Sequence, residues 1–200
     1  MRGLDLLHVL ALAALASPLA CSGDTAPKSL PKEELMDPEA WLAGEVQALV
    51  SEGAATHLID FAREPVPLMR GDRTRLHEVL VALVTNAYEA MGTGGGRIQV
   101  RLYTDFGADR PISGVPDLWP LERPAAPATI CLEVADDGPG VPPEILDRIC
   151  DPFFSTRALG RGLGLASVVG ILRAHHAGLH LFNGEHGGLV VRMHFPPAGA

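Results

Sequence analysis

Two glycine-bearing segments and one asparagine have the residue types and spacing that could carry chemistry. The first segment is DDGPG (residues 136–140), which directly follows an apolar run. Its first carboxylate, Asp136, therefore stands at the end of a predicted strand, where it can accept a hydrogen bond. Gly138 and Gly140 let the chain turn closely around a ligand, although an ordinary Asp-Gly turn has the same composition. The segment predicts either a ligand-binding turn or a plain turn.

The second segment, GRGLGLAS (residues 160–167), opens a predicted helix. Gly160, Gly162 and Gly164 free backbone N–H groups at the helix N-terminus, which is a natural place for phosphate. The pattern is not of the Walker type, because no Lys-Ser/Thr pair follows the last glycine. It also lacks the position after the first strand that is typical of a dinucleotide fingerprint. Alone, it fits a phosphate cradle or a flexible loop.

Asn86 lies in the middle of a predicted helix, where asparagine is intrinsically unfavourable. Its carbonyl oxygen suits Mg²⁺, which takes oxygen ligands from water, phosphate and one or two protein groups. An exposed polar position explains the residue equally well.

Apolar spacing and capping residues predict the elements that must position these candidates. Three helices are predicted, over residues 38–51, 73–91 and 163–175. Short apolar runs predict five strands, over residues 57–62, 98–103, 128–135, 179–182 and 189–195. Residues 105–127 contain five prolines and predict a surface loop. The order favours the α/β class, as a two-layer sandwich with a mixed sheet of about five strands and three main helices on one face.

Composition excludes several function classes. The 200 residues are 47% hydrophobic, which suffices for one domain with an ordinary core. A net charge of −8 argues against nucleic acid as a partner, because phosphate contacts need clustered positive charge. The cysteines, Cys21, Cys131 and Cys150, are too few and scattered for a disulfide framework or a zinc knuckle.

The N-terminal part differs from the rest. Its apolar stretch, residues 6–20, is short for a membrane-spanning helix. With Arg2 before it and Cys21 after it, the stretch fits either a secretory or lipoprotein signal or a piece of an amphipathic helix. Residues 22–37 are polar and predict a linker. The predicted organisation is an N-terminal segment with linker (1–36) and one domain (37–200).

Together, the motifs are far more specific than each one alone. They resemble the N, G1, F and G2 boxes of the histidine-kinase-type ATP-binding domain, in the superfamily of gyrase B, Hsp90, histidine kinases and MutL. The matching stretches are LHEVLVALVTNAYEAM (76–91), VADDGPGVPPEIL (134–146), DPFFSTR (151–157) and GRGLGLASVVGILRAHHAG (160–178). The resemblance is strongest to bacterial sensor histidine kinases, covers residues 37–197, and implies a Bergerat-type ATP-binding fold.

The resemblance implies ATP and Mg²⁺ as cofactors and assigns roles to matching residues. Asn86 would be the metal ligand and a catalytic residue, holding Mg²⁺ that bridges the phosphates. Asp136 would accept the adenine amino group, in a pocket shaped by Gly138 and Gly140. Arg157, where the family usually has lysine, would be the second catalytic residue and would meet a phosphate. Residues 142–161 would form a mobile lid, and the further nucleotide-binding residues would be Phe153, Phe154, Thr156, Gly160, Arg161, Gly162, Leu163, Gly164 and Leu165.

The sequence departs from the family pattern at two positions near these residues. Ala82 stands one helical turn before Asn86, where kinases have asparagine and ATP-hydrolysing relatives have a glutamate base. The absence of a carboxylate at position 82 predicts that the protein does not hydrolyse ATP vigorously. Leu189 follows Gly188 where a threonine usually supports the adenine contact.

No phosphoacceptor histidine is recognisable. The only early histidine is His8, followed by Val9 in an apolar run, and about 36 residues before the domain are too few for the usual helical hairpin. His175 and His176, at the end of the third helix, are predicted to be structural.

The favoured hypothesis is Mg-ATP-dependent phosphoryl transfer to a histidine on a partner or missing dimerisation domain, in two-component signalling. A response-regulator pathway protein is then a further partner. The alternatives are a nucleotide-binding regulatory module without turnover and an anti-sigma-factor-type protein-serine kinase. ATP as substrate predicts a cytoplasmic location, with membrane association through the N-terminus or a parent protein left open.

Overall fold

The computed structural model of the chain describes residues 32–51, 57–107, 117–152, 154, 164–185 and 187–200. The helices are α1 (Pro38–Ser51), α2 (Arg73–Met91), the single-turn α3 (Pro143–Leu146) and α4 (Gly164–Ala174). The strands are β1 (Glu34–Met36), β2 (His57–Arg63), β3 (Met69–Gly71), β4 (Gly96–Asp105), β5 (Asp117–Leu121), β6 (Thr129–Asp136), β7 (Gly178–Asn183) and β8 (Leu189–Phe195). None of the helices in these ranges is long and apolar enough to cross a membrane.

Six strands form one mixed sheet in the order β2-β4-β6-β8-β7-β5. The β2–β4 pair is parallel, and the other four pairs are antiparallel. The mixed sheet confirms the predicted class, with six strands where about five were expected. A separate antiparallel pair, β1 with β3, lies outside this sheet.

The hydrophobic core lies between one face of the sheet and the three long helices. Alternate residues of β4 are buried there, and register places Val100 opposite Val134 of β6, which in turn faces Val191 of β8. Helix α2 contributes residues at helical spacing, among them the fully buried Leu80. This is the predicted two-layer sandwich, because each element buries one apolar face.

Two of the three long helices, α1 and α2, begin at the capping residues that the sequence indicated. Asp37 Oδ1 accepts hydrogen bonds from the backbone N–H groups of Glu39 and Ala40, at 2.9 and 3.2 Å. Asp72 caps α2 in the same way. Side-chain oxygens satisfy N–H groups that have no partner inside the helix, so both helix starts were predictable, and α2 has the predicted bounds.

The predicted loop over residues 105–127 is wrong in part, because β5 lies within it. This strand pairs with β7 at the sheet edge, with an irregular register between Leu118 and Leu121. Pro120 falls inside this irregularity, where the missing N–H group breaks no regular ladder. The prolines that predicted a loop are compatible with an edge strand.

The predicted linker is also wrong at its end, because Glu34–Met36 forms β1. Met36 pairs with Met69 of β3 and is only 2% exposed. Three residues are too few to show a periodicity, and the partner strand is more than thirty residues away. The domain boundary itself, between residues 36 and 37, stays a prediction.

The other face of the sheet carries buried polar side chains. The Glu133 carboxylate lies 2.5 Å from Nε of Arg192 and 3.3 Å from Nη1 of Arg101. On the same face, Arg123 donates to Oγ1 of Thr129 at 3.1 Å. These pairs satisfy groups that would be costly to bury alone.

Candidate functional site

Asn86 lies in the second half of α2, at the border of its buried face. The neighbouring Ala87 is buried, and Asn86 itself is half-buried. Helix α4 begins directly against its carboxamide: a Cβ atom added to Gly164 would lie 3.4 Å from Oδ1 of Asn86. The structure therefore brings together Asn86 and Gly164, which come from two different predicted motifs.

Asp136 ends β6, and its carboxylate accepts two backbone hydrogen bonds. Oδ1 accepts from the N–H of Gly138 at 2.8 Å, and Oδ2 accepts from the N–H of Leu189 at 3.3 Å. Each oxygen has a further lone pair, so the carboxylate can still accept a ligand's N–H group. Burial raises the pKa of Asp136, the two backbone hydrogen bonds oppose this rise, and the neighbouring Asp137 adds to it.

Two glycines around Asp136 have positive φ angles and no room for a side chain. Gly188 has a φ of 76°, and a Cβ atom there would lie 1.6 Å from the backbone oxygen of Asp136. Gly140 has a φ of 74°, and a Cβ atom there would lie 2.7 Å from Oδ1 of Asn183. Only glycine fits such positions without strain, so the turn after β6 packs closely against the β7–β8 connection.

The turn also contacts α2, and this links it to Asn86. A Cβ atom on Gly138 would lie 3.3 Å from Cβ of Ala90. Ala90 is one helical turn after Asn86, on the same helix face, with a Cβ separation of about 6 Å. The Asp136 turn and the start of α4 thus contact successive turns of one helix. Asp136, Gly138, Asn86 and Gly164 form one continuous region.

Asn183, at the end of β7, belongs to this region and was not predicted from the sequence. Its Oδ1 accepts a hydrogen bond from the N–H of Val141 at 2.8 Å, and its Nδ2 donates to the backbone oxygen of Val141 at 2.7 Å. The only sequence signal is an asparagine followed by glycine after an apolar run, which is also the signature of a turn. Its partner lies 42 residues earlier in the chain.

The two departures from the family pattern have different consequences. Ala82 is half-buried and packs against the core, so it offers no polar group one turn before Asn86. Leu189 still serves Asp136, because the contact comes from its backbone N–H. The leucine at this position therefore removes a hydroxyl group from the site but leaves the backbone contact to Asp136 intact.

The remaining predicted site residues are described only in part. Phe154 is half-buried, with the guanidinium carbon of Arg148 4.7 Å from the centre of its ring. Leu165 packs against the core from α4. Seven predicted residues lie outside the described part of the chain: Phe153, Thr156, Arg157, Gly160, Arg161, Gly162 and Leu163.

His175 has a structural position, as predicted. It is buried, its Nδ1 donates to the backbone oxygen of Ile171, and its Nε2 accepts from the N–H of Asp72. The ring therefore carries its proton on Nδ1, and it ties the end of α4 to the start of α2.

The described residues fit Mg²⁺ only as a shared ion. Within them, no group of three or more His, Cys, Asp or Glu side chains could hold a metal. Mg²⁺ usually keeps several waters and binds protein through one or two groups together with substrate phosphates. The Asn86 carboxamide could supply one such group, and nucleotide and water would have to supply the other ligands.

Comparison with known sequences agrees with this geometry. The family model described as "Histidine kinase-, DNA gyrase B-, and HSP90-like ATPase" matches residues 71–199. The sensory histidine kinase/phosphatase NtrB of Rhodobacter capsulatus is 36% identical over 129 residues, which are 64% of this chain and 33% of NtrB. The protein of the same name from Rhizobium meliloti is 32% identical over 154 residues, 76% of this chain and 38% of the relative. The chain thus spans about a third of the length of these relatives.

Solved structures show the same fold. The catalytic domain of histidine kinase ThkA has a TM-score of 0.63 at 22% identity, covering 82% of this chain and 95% of that chain. Full-length ShkA in complex with AMPPNP has a TM-score of 0.61 at 23% identity, covering 97% of this chain and 35% of that chain. This chain therefore belongs to the histidine kinase-, DNA gyrase B- and HSP90-like ATPase family, as the ATP-binding catalytic domain of a histidine kinase-like protein.

Proposed function

We propose that this domain binds Mg-ATP and transfers the γ-phosphoryl group to a histidine on a separate domain or partner protein. The observation that carries the proposal is the packing of the Asn86 carboxamide against Gly164, the first residue of α4. One helical turn further along α2, Ala90 packs against Gly138 in the turn that holds Asp136. A nucleotide needs a polar acceptor for its base and oriented N–H groups for its phosphates, and these two regions offer them side by side.

The base end of the site rests on Asp136. Its carboxylate is held by the N–H groups of Gly138 and Leu189 and can accept the adenine amino group. Because the carboxylate is partly buried, a hydrogen bond to it is less weakened by competing water than one at the surface.

The phosphate end rests on the N-terminus of α4 and on Asn86. Backbone N–H groups at the start of a helix attract anions. Asn86 would hold Mg²⁺, which neutralises phosphate charge when it is bound. Arg157 and Arg161 remain predicted phosphate contacts. Phosphoryl transfer depends mainly on positioning and charge stabilisation, so these groups suffice without a covalent intermediate on this domain.

Relatives support the kinase assignment. Both NtrB relatives are named sensory histidine kinase/phosphatase, and the solved ShkA structure is a complex with AMPPNP. We infer that the acceptor is a histidine-containing dimerisation domain and that a response-regulator pathway protein acts downstream. We place the reaction in the cytoplasm, where ATP is available, and we include in the proposal membrane association through the N-terminal segment or a parent protein.

A second candidate function is nucleotide binding without turnover, as a regulatory module. It is favoured by Ala82, which removes a polar group close to Asn86, and by Leu189, which removes a hydroxyl group from the base end. A protein-serine kinase of the anti-sigma-factor type is the third.

Binding is tested by the melting temperature with and without an ATP analogue. At a hundredfold excess over Kd, the analogue with Mg²⁺ is expected to raise Tm by about 5–10 °C. Asn86→Ala should remove most of this rise. Gln47→Ala is the matched control, since it deletes an exposed carboxamide on α1. A well-folded protein with no rise at millimolar nucleotide would contradict the proposal.

Transfer is tested with radiolabelled ATP and a supplied helical-hairpin domain that carries an acceptor histidine. Acid-labile label on the hairpin supports the histidine kinase. Acid-stable label on a supplied protein substrate supports the serine kinase, and normal binding without label supports the regulatory module.

A further inference from the structure

The Asn183 carboxamide makes two hydrogen bonds with the backbone of Val141, and we call this pair the Asn183 clasp. At 2.8 and 2.7 Å, one accepted and one donated, they satisfy both polar groups of Val141 with one side chain. A carboxamide used in this way reproduces the pairing of one residue in a β-ladder.

The clasp lies where regular pairing ends. The β6–β8 ladder runs to the pair Ala135–Val190 and stops there. Beyond it, Asp137 donates to the backbone oxygen of Arg97, and Gly138 donates to Asp136. The clasp then fixes the far end of the turn against β7.

Close packing makes this arrangement specific to asparagine. The clasp needs an acceptor and a donor on one short side chain, which aspartate, serine and alanine do not provide together in this geometry. Gly140 leaves room for it, since a Cβ atom there would lie 2.7 Å from Oδ1 of Asn183.

The turn held by the clasp is the one that orients Asp136. Leu189 donates to Asp136 from β8, while Asn183 holds Val141 from β7. The two strands therefore hold the turn at both ends. We propose that Asn183 is a positioning residue that sets adenine recognition without touching the nucleotide, an inference that rests on the proposed nucleotide site.

The clasp is tested first in the unmodified protein by NMR. The chain contains only two asparagines, Asn86 and Asn183, so selective ¹⁵N-asparagine labelling gives two pairs of side-chain amide proton signals. We expect the Asn183 amide protons, assigned through their loss in Asn183→Asp, to exchange with water at least roughly tenfold more slowly than those of Asn86. Equal exchange rates would overturn the inference. The Asn86 signal should shift on addition of Mg²⁺ and an ATP analogue, which tests the proposed function separately.

The positioning role is tested with Asn183→Asp, which keeps the shape but turns an oxygen toward the Val141 carbonyl. We expect the Kd of the ATP analogue to rise roughly tenfold, as if the turn were correctly placed in about a tenth of the molecules. The preference for the ATP analogue over its inosine counterpart, which lacks the amino group, should fall as well. A merely structural residue would leave that preference unchanged.

Thr129→Val is the matched control, because it deletes buried hydrogen bonds at the start of β6, the strand that ends at Asp136. It should lower stability and leave the base preference unchanged. An unchanged base preference in a folded Asn183→Asp variant would overturn this inference and leave the proposed function standing. Absence of nucleotide binding by the unmodified protein would overturn the proposed function and this inference with it.

Discussion

At the scale of single residues, Asp136 shows how backbone hydrogen bonds and burial together fix one carboxylate. Two backbone N–H groups fix its orientation, and burial separates it partly from water. Burial disfavours the charged form and so raises the pKa, while the two hydrogen bonds favour the charged form and limit the rise. The balance leaves a raised pKa, so the carboxylate is more easily protonated than that of an exposed aspartate.

This balance predicts a pH dependence of nucleotide binding. As the pH falls through the raised pKa of Asp136, the protonated carboxyl loses an acceptor for the adenine amino group. We therefore expect that, as the pH is lowered, the affinity for an ATP analogue begins to fall before the pH reaches about 4, the usual pKa of aspartate. Titration of Kd against pH, with the stability of the protein followed in parallel, measures this.

The free energy of unfolding serves as a control, because protonation of Asp136 should raise it while lowering the nucleotide affinity. A folded-state pKa above the unfolded value means that ionisation of Asp136 destabilises the fold, and this cost disappears as pH falls through the folded pKa. Asp136→Asn should remove both effects. Affinity that stayed constant down to about pH 4 in the unmodified protein would contradict the prediction.

At the scale of elements, α2 connects the folding of the domain to its site. Its start is held by Asp72, whose Oδ1 accepts from the N–H groups of Thr74 and Arg75 and whose Oδ2 accepts from Lys32. The end of α4 is tied to the same residue through His175. Asn86 lies in the second half of α2, so the N-terminal cap and the candidate site lie at different ends of one helix.

We predict that Asp72→Ala lowers the free energy of unfolding by about 1–2 kcal/mol, because it deletes a helix cap. Nucleotide affinity should change little, since the cap is about 20 Å along the helix from Asn86. Denaturant titration measures the first effect and analogue binding the second. Asp60→Ala is the control: it removes an exposed ion pair with Arg97 and should cost less than about 1 kcal/mol. A larger loss there than at Asp72 would refute the prediction.

At the scale of the whole molecule, the folded unit is larger than the family match. The match begins at residue 71, yet the core contains residues that precede it. Leu42 from α1 is fully buried, and Met36 from β1 and Met69 from β3 are each 2% exposed. Strand β2 also completes the sheet beside β4. Strands β1, β2 and β3 and helix α1 are thus part of the same folded unit.

Shortened chains test how far the folded unit extends before residue 71. A chain limited to residues 32–200 should unfold cooperatively, whereas one limited to residues 71–200 should not, because it loses α1 and the edge strand β2. A chain starting at residue 37 should be less stable than the first by about 2–4 kcal/mol, through loss of buried Met36. Thermal unfolding followed by circular dichroism distinguishes them. Equal stability of the chains from 32 and from 37 would support the boundary predicted from sequence.

The local sequence by itself determined the long elements and the candidate residues. Helix α2 could be bounded from Asp72 and the apolar spacing, and Asp136 and Asn86 stood out by their positions. Local spacing suffices there because a long helix or strand repeats its burial pattern many times. The roles of these residues in binding stay predictions.

Tertiary structure alone decided the short strands and the contacts that complete the candidate site. Strands β1, β3 and β5 are too short for a clear pattern, and their stability comes from pairing with distant segments. Asn183 reaches Val141, and Asn86 meets Gly164, only after the sheet and helices have packed. Such contacts depend on the arrangement of whole elements, and no local pattern encodes the distance between residues far apart in the chain.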